Sequence, residues 1–212
     1  MNRTITAAAL AATAFTAGAQ VTSTFDTDAD GWSTINDTSS FGFDALVGNP
    51  AGSIVGVDRA SGAIWYFAAP SKFLGNQSAA LGGTLSWDIL GLTGSQSLGG
   101  TNADVFLSSG GTLIGIDLGF NPNTTDFTNY SVDLSFDAGW EFVSSTNGNT
   151  NGNAVDAATF ASVLANLDGL FIRGEYTTGS DSSALDNVVL TPAPAGAMAF
   201  AGVGLLAARR RR

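Results

Sequence analysis

The run from Phe160 to Leu190, FASVLANLDGLFIRGEYTTGSDSSALDNVVL, constrains the fold of this chain more than any other stretch. Phe160, Val163, Leu164 and Leu167 recur at helical spacing, which gives one apolar face. Asp156 stands where an N-cap belongs, because its carboxylate can accept from the free N–H groups of a first helical turn. Asp168-Gly169 predicts the stop, since glycine turns left-handed without penalty. Beyond it, Leu170, Ile172, Gly174 and Tyr176 alternate with Phe171, Arg173 and Glu175, the period of a strand. TTGSDSS reads as a loop and Ala184 to Leu190 as a closing strand. Two strands this apolar need a larger sheet to cover their faces.

The rest of the chain supplies that sheet. Strand patterns occur at Thr24-Phe25, Ser53 to Asp58, Ala63 to Ala69, Thr84 to Leu90, Tyr130 to Phe136 and Trp140 to Val143. Tyr130, Val132, Leu134 and Phe136 share one face of theirs. Asp104 to Leu107 and Thr112 to Leu118 read as a hairpin around Ser108-Ser109-Gly110-Gly111. Phe41 to Pro50 and Asn147 to Asn153 read as loops. Glycine is 27 of 212 residues, which favours short strands joined by turns. With one short helix near the C-terminal end, the expected fold is an all-β, antiparallel jelly-roll sandwich.

Composition removes several chemistries. The chain has no cysteine and no histidine, so it has neither a thiol nucleophile nor the usual general base. Arg3 and Arg209 to Arg212 lie at the ends, leaving Arg59, Lys72 and Arg173 against 18 acidic residues in the middle. Such a surface repels phosphate, so no nucleic-acid partner is expected. A glycosidase needs two facing carboxylates, roughly 5–9 Å apart. The only glutamates are Glu141 and Glu175, and the neighbours of neither mark a catalytic pair. Glu175 has a simpler use, two residues from Arg173 on one strand face. No catalytic residue is assigned.

Three binding sites are suggested. Asp26, Asp28, Asp30 and Gly31 fit the first half of a calcium loop, with Asp37 where the bidentate ligand would fall. The alternative is a first strand, a solvated acidic turn and Trp32 returning to the core. Structural calcium is thus the one cofactor the sequence suggests. A second cation site could join Asp186-Asn187 to Asp26 or Asp28, since first and last strands of a sandwich often lie together. For sugar stacking, Trp32, Trp65, Tyr66, Trp87, Trp140 and Tyr176 are available, but most fit core positions. In the run Trp65-Tyr66-Phe67, Tyr66 takes the face opposite the other two and is the ring expected to reach solvent.

Both ends carry address patterns. Residues 1–20 combine one early Arg, an alanine-rich run and a small-residue end at Ala17-Gly18-Ala19, the pattern of a secretory signal peptide. At the other end Pro192-Ala193-Pro194 breaks the chain, an apolar run follows, and Arg209, Arg210, Arg211 and Arg212 close it. As a helix, Ala195 to Ala208 spans about 21 Å, short of the ~30 Å hydrocarbon core. The tail resembles the PEP-CTERM sorting signal of Gram-negative bacteria, with Pro192-Ala193-Pro194 in place of Pro-Glu-Pro. That resemblance implies cleavage by an exosortase-type protease after transient membrane contact, and delivery to the cell surface or matrix. A plain C-terminal membrane anchor is the alternative.

Six fragments in order carry a second resemblance: AIWYFAAPSKFLGNQ, GGTLSWD, ADVFLSSGGTL, WEF, VLANLDGLFIRGEY and ALDNVVL. Together, from about Ile54 to Leu190, they resemble the laminin B domain, also called laminin IV type A. The resemblance implies a galactose-binding-like sandwich in an extracellular, non-catalytic structural and adhesion module. The expected organisation is a signal peptide over 1–20, a laminin-B-like domain over 21–191 and a sorting tail over 192–212. The expected role is adhesion or envelope and biofilm assembly. The alternatives are a carbohydrate-binding module for exopolysaccharide and, after it, a glycan-active enzyme. Partners would be signal peptidase and the sorting protease in transit, then a polysaccharide or surface protein outside.

Overall fold

The computed structural model describes residues 18–93 and 102–194. In chain order the strands are β1 (Val21–Ser23), β2 (Ser33–Ile35), β3 (Thr38–Gly48), β4 (Ala51–Asp58), β5 (Tyr66–Ala68), β6 (Thr84–Gly91), β7 (Val105–Ser109), β8 (Thr112–Ile116), β9 (Thr128–Asp133), β10 (Glu141–Val143), β11 (Thr150–Ala154), β12 (Gly169–Arg173) and β13 (Ser182–Thr191). One helix, α1 (Ala157–Ala165), precedes β12. The first sheet runs β3-β4-β13-β6-β9, with β1 added to the far end of β13. The second runs β11-β10-β8-β7-β12-β5-β2. Every pairing is antiparallel. The expected all-β sandwich is therefore the observed fold.

Alternation decides which face of each strand is buried. Along β6, Leu85, Trp87 and Ile89 point into the core while Thr84, Ser86 and Asp88 stay half-exposed. Tyr130 and Val132 of β9 meet them, and the Trp87 and Tyr130 rings stack at 5.3 Å. From the second sheet come Phe67, Val105, Leu107, Ile114, Leu170 and Ile172. Burying this many large side chains supplies most of the driving force, at about 1.5–3 kcal/mol each. Helix α1 closes one end of the stack through Phe160, Val163 and Leu164. Asp156 caps it as expected, accepting from the Thr159 amide at 2.8 Å.

The hairpin expected around Gly110-Gly111 is β7-β8. Its two central glycines have φ of 56° and 87°, the left-handed pair a two-residue hairpin turn requires.

Several boundaries differ from expectation. Phe41 to Pro50 is mostly strand: β3 sends Phe41 and Phe43 inward. Its serines and glycines hid the period, and as an edge strand it tolerates them. Asn147 to Asn153 is not all loop either, because Thr150 onward forms β11 at the opposite edge, held by β10 alone. The first strand lies at Val21–Ser23, and Phe25 beyond it has a φ of +50°. Helix α1 stops at Asn166 rather than at Asp168-Gly169. Leu167 bridges to Gly75, and Gly169 is already the first residue of β12. That strand ends at Arg173, so Gly174 to Tyr176 continue outside it. Phe136 was expected inside, yet a 3-10 turn at Phe136–Ala138 carries it out, and it is 47% exposed.

The Pro192-Ala193-Pro194 segment stays on the domain, and the Ala193 amide donates to Ala79 O at 3.0 Å. Residues 1–17 and 195–212 lie outside the described residues, and with them fall most of the signal peptide, the apolar run and Arg209 to Arg212.

Candidate functional site

The structure does not gather the four acids of the expected calcium loop about one point. Asp26 accepts from the Thr24 hydroxyl at 2.9 Å, and Asp28 accepts from the Asp30 amide at 2.7 Å. Asp30 accepts from Ser23 Oγ at 2.7 Å and pairs with Lys72. Burial pushes the Asp30 carboxyl up, but the bonds from Lys72 and Ser23 outweigh it and hold the group below its usual range. Asp37 turns to a different loop, accepting from Ser61 N at 2.5 Å, Gly62 N at 2.8 Å and Ser61 Oγ at 2.5 Å. The Ser61 hydroxyl is the main reason its carboxyl is depressed. So Asp37 closes the turn between β4 and β5 rather than completing a metal shell. Among the described residues no group of three or more acids is placed to share a metal ion.

Asp186 does lie beside the N-terminal segment, as strand order suggested, since β1 pairs with β13. Its oxygens are taken by the Asn49 amide and its neighbour Asn187, at 2.8 and 2.7 Å. Burial raises its pKa, and the nearby charges of Asp88 and Asp26 add to that.

Tyr66 is not exposed. Its ring is fully buried against Phe106, at 4.9 Å, in a second apolar cluster on the outer face of the second sheet. Its hydroxyl donates to Ala103 O at 3.0 Å. Strand β5 lies between β12 and β2, and the segments at Ala103 and Asn147 cover its outer face, so both faces are dry.

The buried polar groups form a network that the sequence did not reveal. Asp104, just before β7, accepts from Tyr176 Oη at 3.1 Å and from the Leu118 amide at 2.7 Å. Burial pushes its pKa up to about 6. Arg173 donates from Nε to the Glu175 carbonyl oxygen at 2.6 Å, and its guanidinium lies 4.7 Å from the Tyr176 ring centre. The Arg173 Nε contact with Glu175 is to its backbone, while the Glu175 carboxylate accepts from the Trp65 amide at 3.3 Å. Burial raises Glu175 to about 7, helped by the charges of Asp58 and Asp181. Asp58 is buried with both carboxylate oxygens outside hydrogen-bonding geometry. Burial raises it too, the nearby Ala60 and Arg59 amides holding the shift back. The only sequence signal for this network was its set of acids inside apolar runs, such as Asp104 in ADVF.

Two of the open clefts among the described residues stand out. The larger, about 540 Å³, lies where β10, β11, the start of α1 and the 3-10 turn meet. Phe136 and Trp140 line it, with Asp137, Glu141 and Asp156. The smaller, about 400 Å³, is bounded by the β3-β4 turn and by Thr125 to Phe127.

A family model described as laminin B (domain IV) matches residues 66–201. The chain belongs to the laminin B family. No curated protein matches its sequence. Among solved structures, this laminin B chain is similar to the L4b domain of human laminin alpha-2, with a TM-score of 0.61 at 14% identity over 82% of this chain and 98% of that one. The family 11 carbohydrate-binding module of the cellulase Lic26A-Cel5E of Clostridium thermocellum matches with a TM-score of 0.46 at 14% identity, over 84% and 97% of the two chains. An exo-beta-agarase matches with a TM-score of 0.48 at 9% identity, over 77% of this chain and 23% of the enzyme. At these identities the laminin alpha-2 match shows a shared fold.

Proposed function

We propose that this laminin B chain is an exported, non-catalytic module of the bacterial cell surface or extracellular matrix, acting in adhesion or in envelope and biofilm assembly. Residues 1–20 act as its signal peptide, 21–191 as the working domain and 192–212 as a PEP-CTERM-like sorting tail cut by an exosortase-type protease. The observation that carries the reading is the family match over residues 66–201. The use of the buried acids supports it. Asp37, Asp181 and Asp186 accept from backbone amides, so their carboxylates hold loops in place. A hydrolase would keep such groups facing a substrate.

Mass spectrometry of the surface fraction tests the proposal. The expected species begins near Ala19 or Gln20 and lacks Arg209 to Arg212. In cells without the sorting protease the four arginines stay on the chain. A cytosolic chain that keeps residues 1–20 would refute it. A second reading, a carbohydrate-binding module, is favoured by one feature, the exposed Phe136 ring beside the larger cleft.

A further inference from the structure

We propose that the cleft between Phe136, Glu141 and Asp156 binds a neutral glycan, with Phe136 as the stacking platform and Asp137, Glu141 and Asp156 as hydroxyl acceptors. This deepens the carbohydrate-binding reading above and places it at one site.

The argument begins with an anomaly. The alternation of β9 buries Tyr130 and Val132, and Leu134 follows them inside. Phe136 continues that period, yet the 3-10 turn after Ser135 sends its ring to the surface, where it forms one wall of the cleft. Beside it Trp140 forms a dry floor. It is fully buried, and its Nε1 donates to Asp133 O at 3.0 Å, so the indole is held in place. The wall and floor are therefore apolar, and the wall is an aromatic ring. A pyranose presents a C–H face that packs well on such a ring.

The charged side chains of the cleft, Asp137, Glu141 and Asp156, are all acceptors. Asp156 already caps α1, and Glu141 Oε2 accepts from the Gly152 amide at 2.9 Å, which fixes both carboxylates in place. Each carboxylate oxygen keeps further lone pairs. Asp137 is exposed at the cleft. Carboxylates along a cleft favour a ligand that brings its own donors, as sugar hydroxyls do. They also repel uronic and sulfated sugars, and the acidic surface around them adds to that repulsion.

The spacing of the acids separates a glycan from a cation. A metal or ammonium ion needs carboxylates gathered about one point, and no three acids among the described residues are so gathered. Acceptors spread along a cleft suit donors spread over a ring.

Calorimetric titration of the full chain decides the matter. The probes are neutral hexasaccharides of glucose, galactose and mannose, with polygalacturonate and choline as charged controls. At least one neutral hexasaccharide binds, and Phe136→Ala weakens it by about tenfold, the loss expected for one stacked ring. Asp137→Asn also weakens binding, while Leu46→Ala, at an exposed site outside the cleft, binds as the parent does. Because Phe136 is half-exposed, its variant keeps the parent's unfolding midpoint. Asp137→Asn provides an independent check that leaves the ring in place. The proposal is overturned if no neutral hexasaccharide binds, if both cleft variants bind like the parent, or if either charged probe binds more tightly than every neutral one. Failure of the export reading would appear only in the surface fraction, which this titration does not sample.

Discussion

Asp181 accepts the indole N–H of Trp65 at 3.2 Å through Oδ1 and the Tyr176 amide at 2.9 Å through Oδ2. One carboxylate thus ties the core tryptophan before β5 to the turn that leads from β12 into β13. The chain closes on itself there: 116 residues separate the two partners, and Trp65 is fully buried.

Asp181→Ala removes the acceptor of two buried donors, the Trp65 indole and the Tyr176 amide, and of the part-buried Thr177 amide, which donates to Oδ2 at 3.1 Å. Each lost buried acceptor costs about 1–3 kcal/mol, partly regained as the site relaxes. Urea unfolding is expected to show a loss of about 2–4 kcal/mol. A loss below about 0.5 kcal/mol, the range of an ordinary surface change, would mean that the carboxylate does not hold the turn.

Trp65 also occupies a slot that two glycines keep open. A Cβ at Gly174 or at Gly56 would enter the space of its six-membered ring. Gly174→Ala and Gly56→Ala are each expected to destabilise by about 1–3 kcal/mol through overpacking. Thermal unfolding measures this, and Gly110→Ala is no control, since that glycine is needed for its left-handed φ instead.

Glu175 makes stability depend on pH. Its folded pKa is raised from 4.5 to about 7. The folded state therefore binds the proton more tightly than the unfolded one. Its contribution is fully present below about pH 4.5 and is lost as pH rises through about 7. Asp104, raised to about 6, acts in the same direction over a lower window. Glu175→Gln keeps an acceptor for the Trp65 amide without a buried charge. At pH 8 it is expected to be more stable than the parent by about 1–2 kcal/mol, with the advantage shrinking toward pH 4.5. An advantage that did not change with pH would count against burial of the charge as the cause.

Tyr66→Phe removes a hydroxyl that donates to Ala103 O at 3.0 Å and to Asn147 O at 3.3 Å. The ring and its contact with Phe106 remain. Denaturant unfolding is expected to show a loss of about 1–2 kcal/mol. Glycan titration of the same variant is expected to match the parent, because Tyr66 is fully buried.

The parts legible in the sequence were those with a complete local pattern. The Asp156 cap, the Phe160, Val163 and Leu164 face of α1 and the alternation of β6 need only neighbours within a few residues, and these stand as read, while Leu167 falls beyond the helix. Edge strands β3 and β11 were missed, since a strand paired on one side accepts Ser, Asn and Gly, which read as loop. Phe136 was misplaced because alternation says nothing about where a strand stops. The acids were hardest. In sequence, Asp37 sits near the Asp26 to Asp30 run, yet its partners are Ser61 to Ala63, over 20 residues away.

The order of residues alone determined that this chain is a sandwich of short strands with one capped helix, because periodicity and turn chemistry are local and each element carries its own. The tertiary structure alone decided which polar groups are spent and which stay open. Burial and hydrogen bonding depend on partners far along the chain: Tyr66 went inside, Asp37 closed a turn, and Phe136 came out beside a cleft.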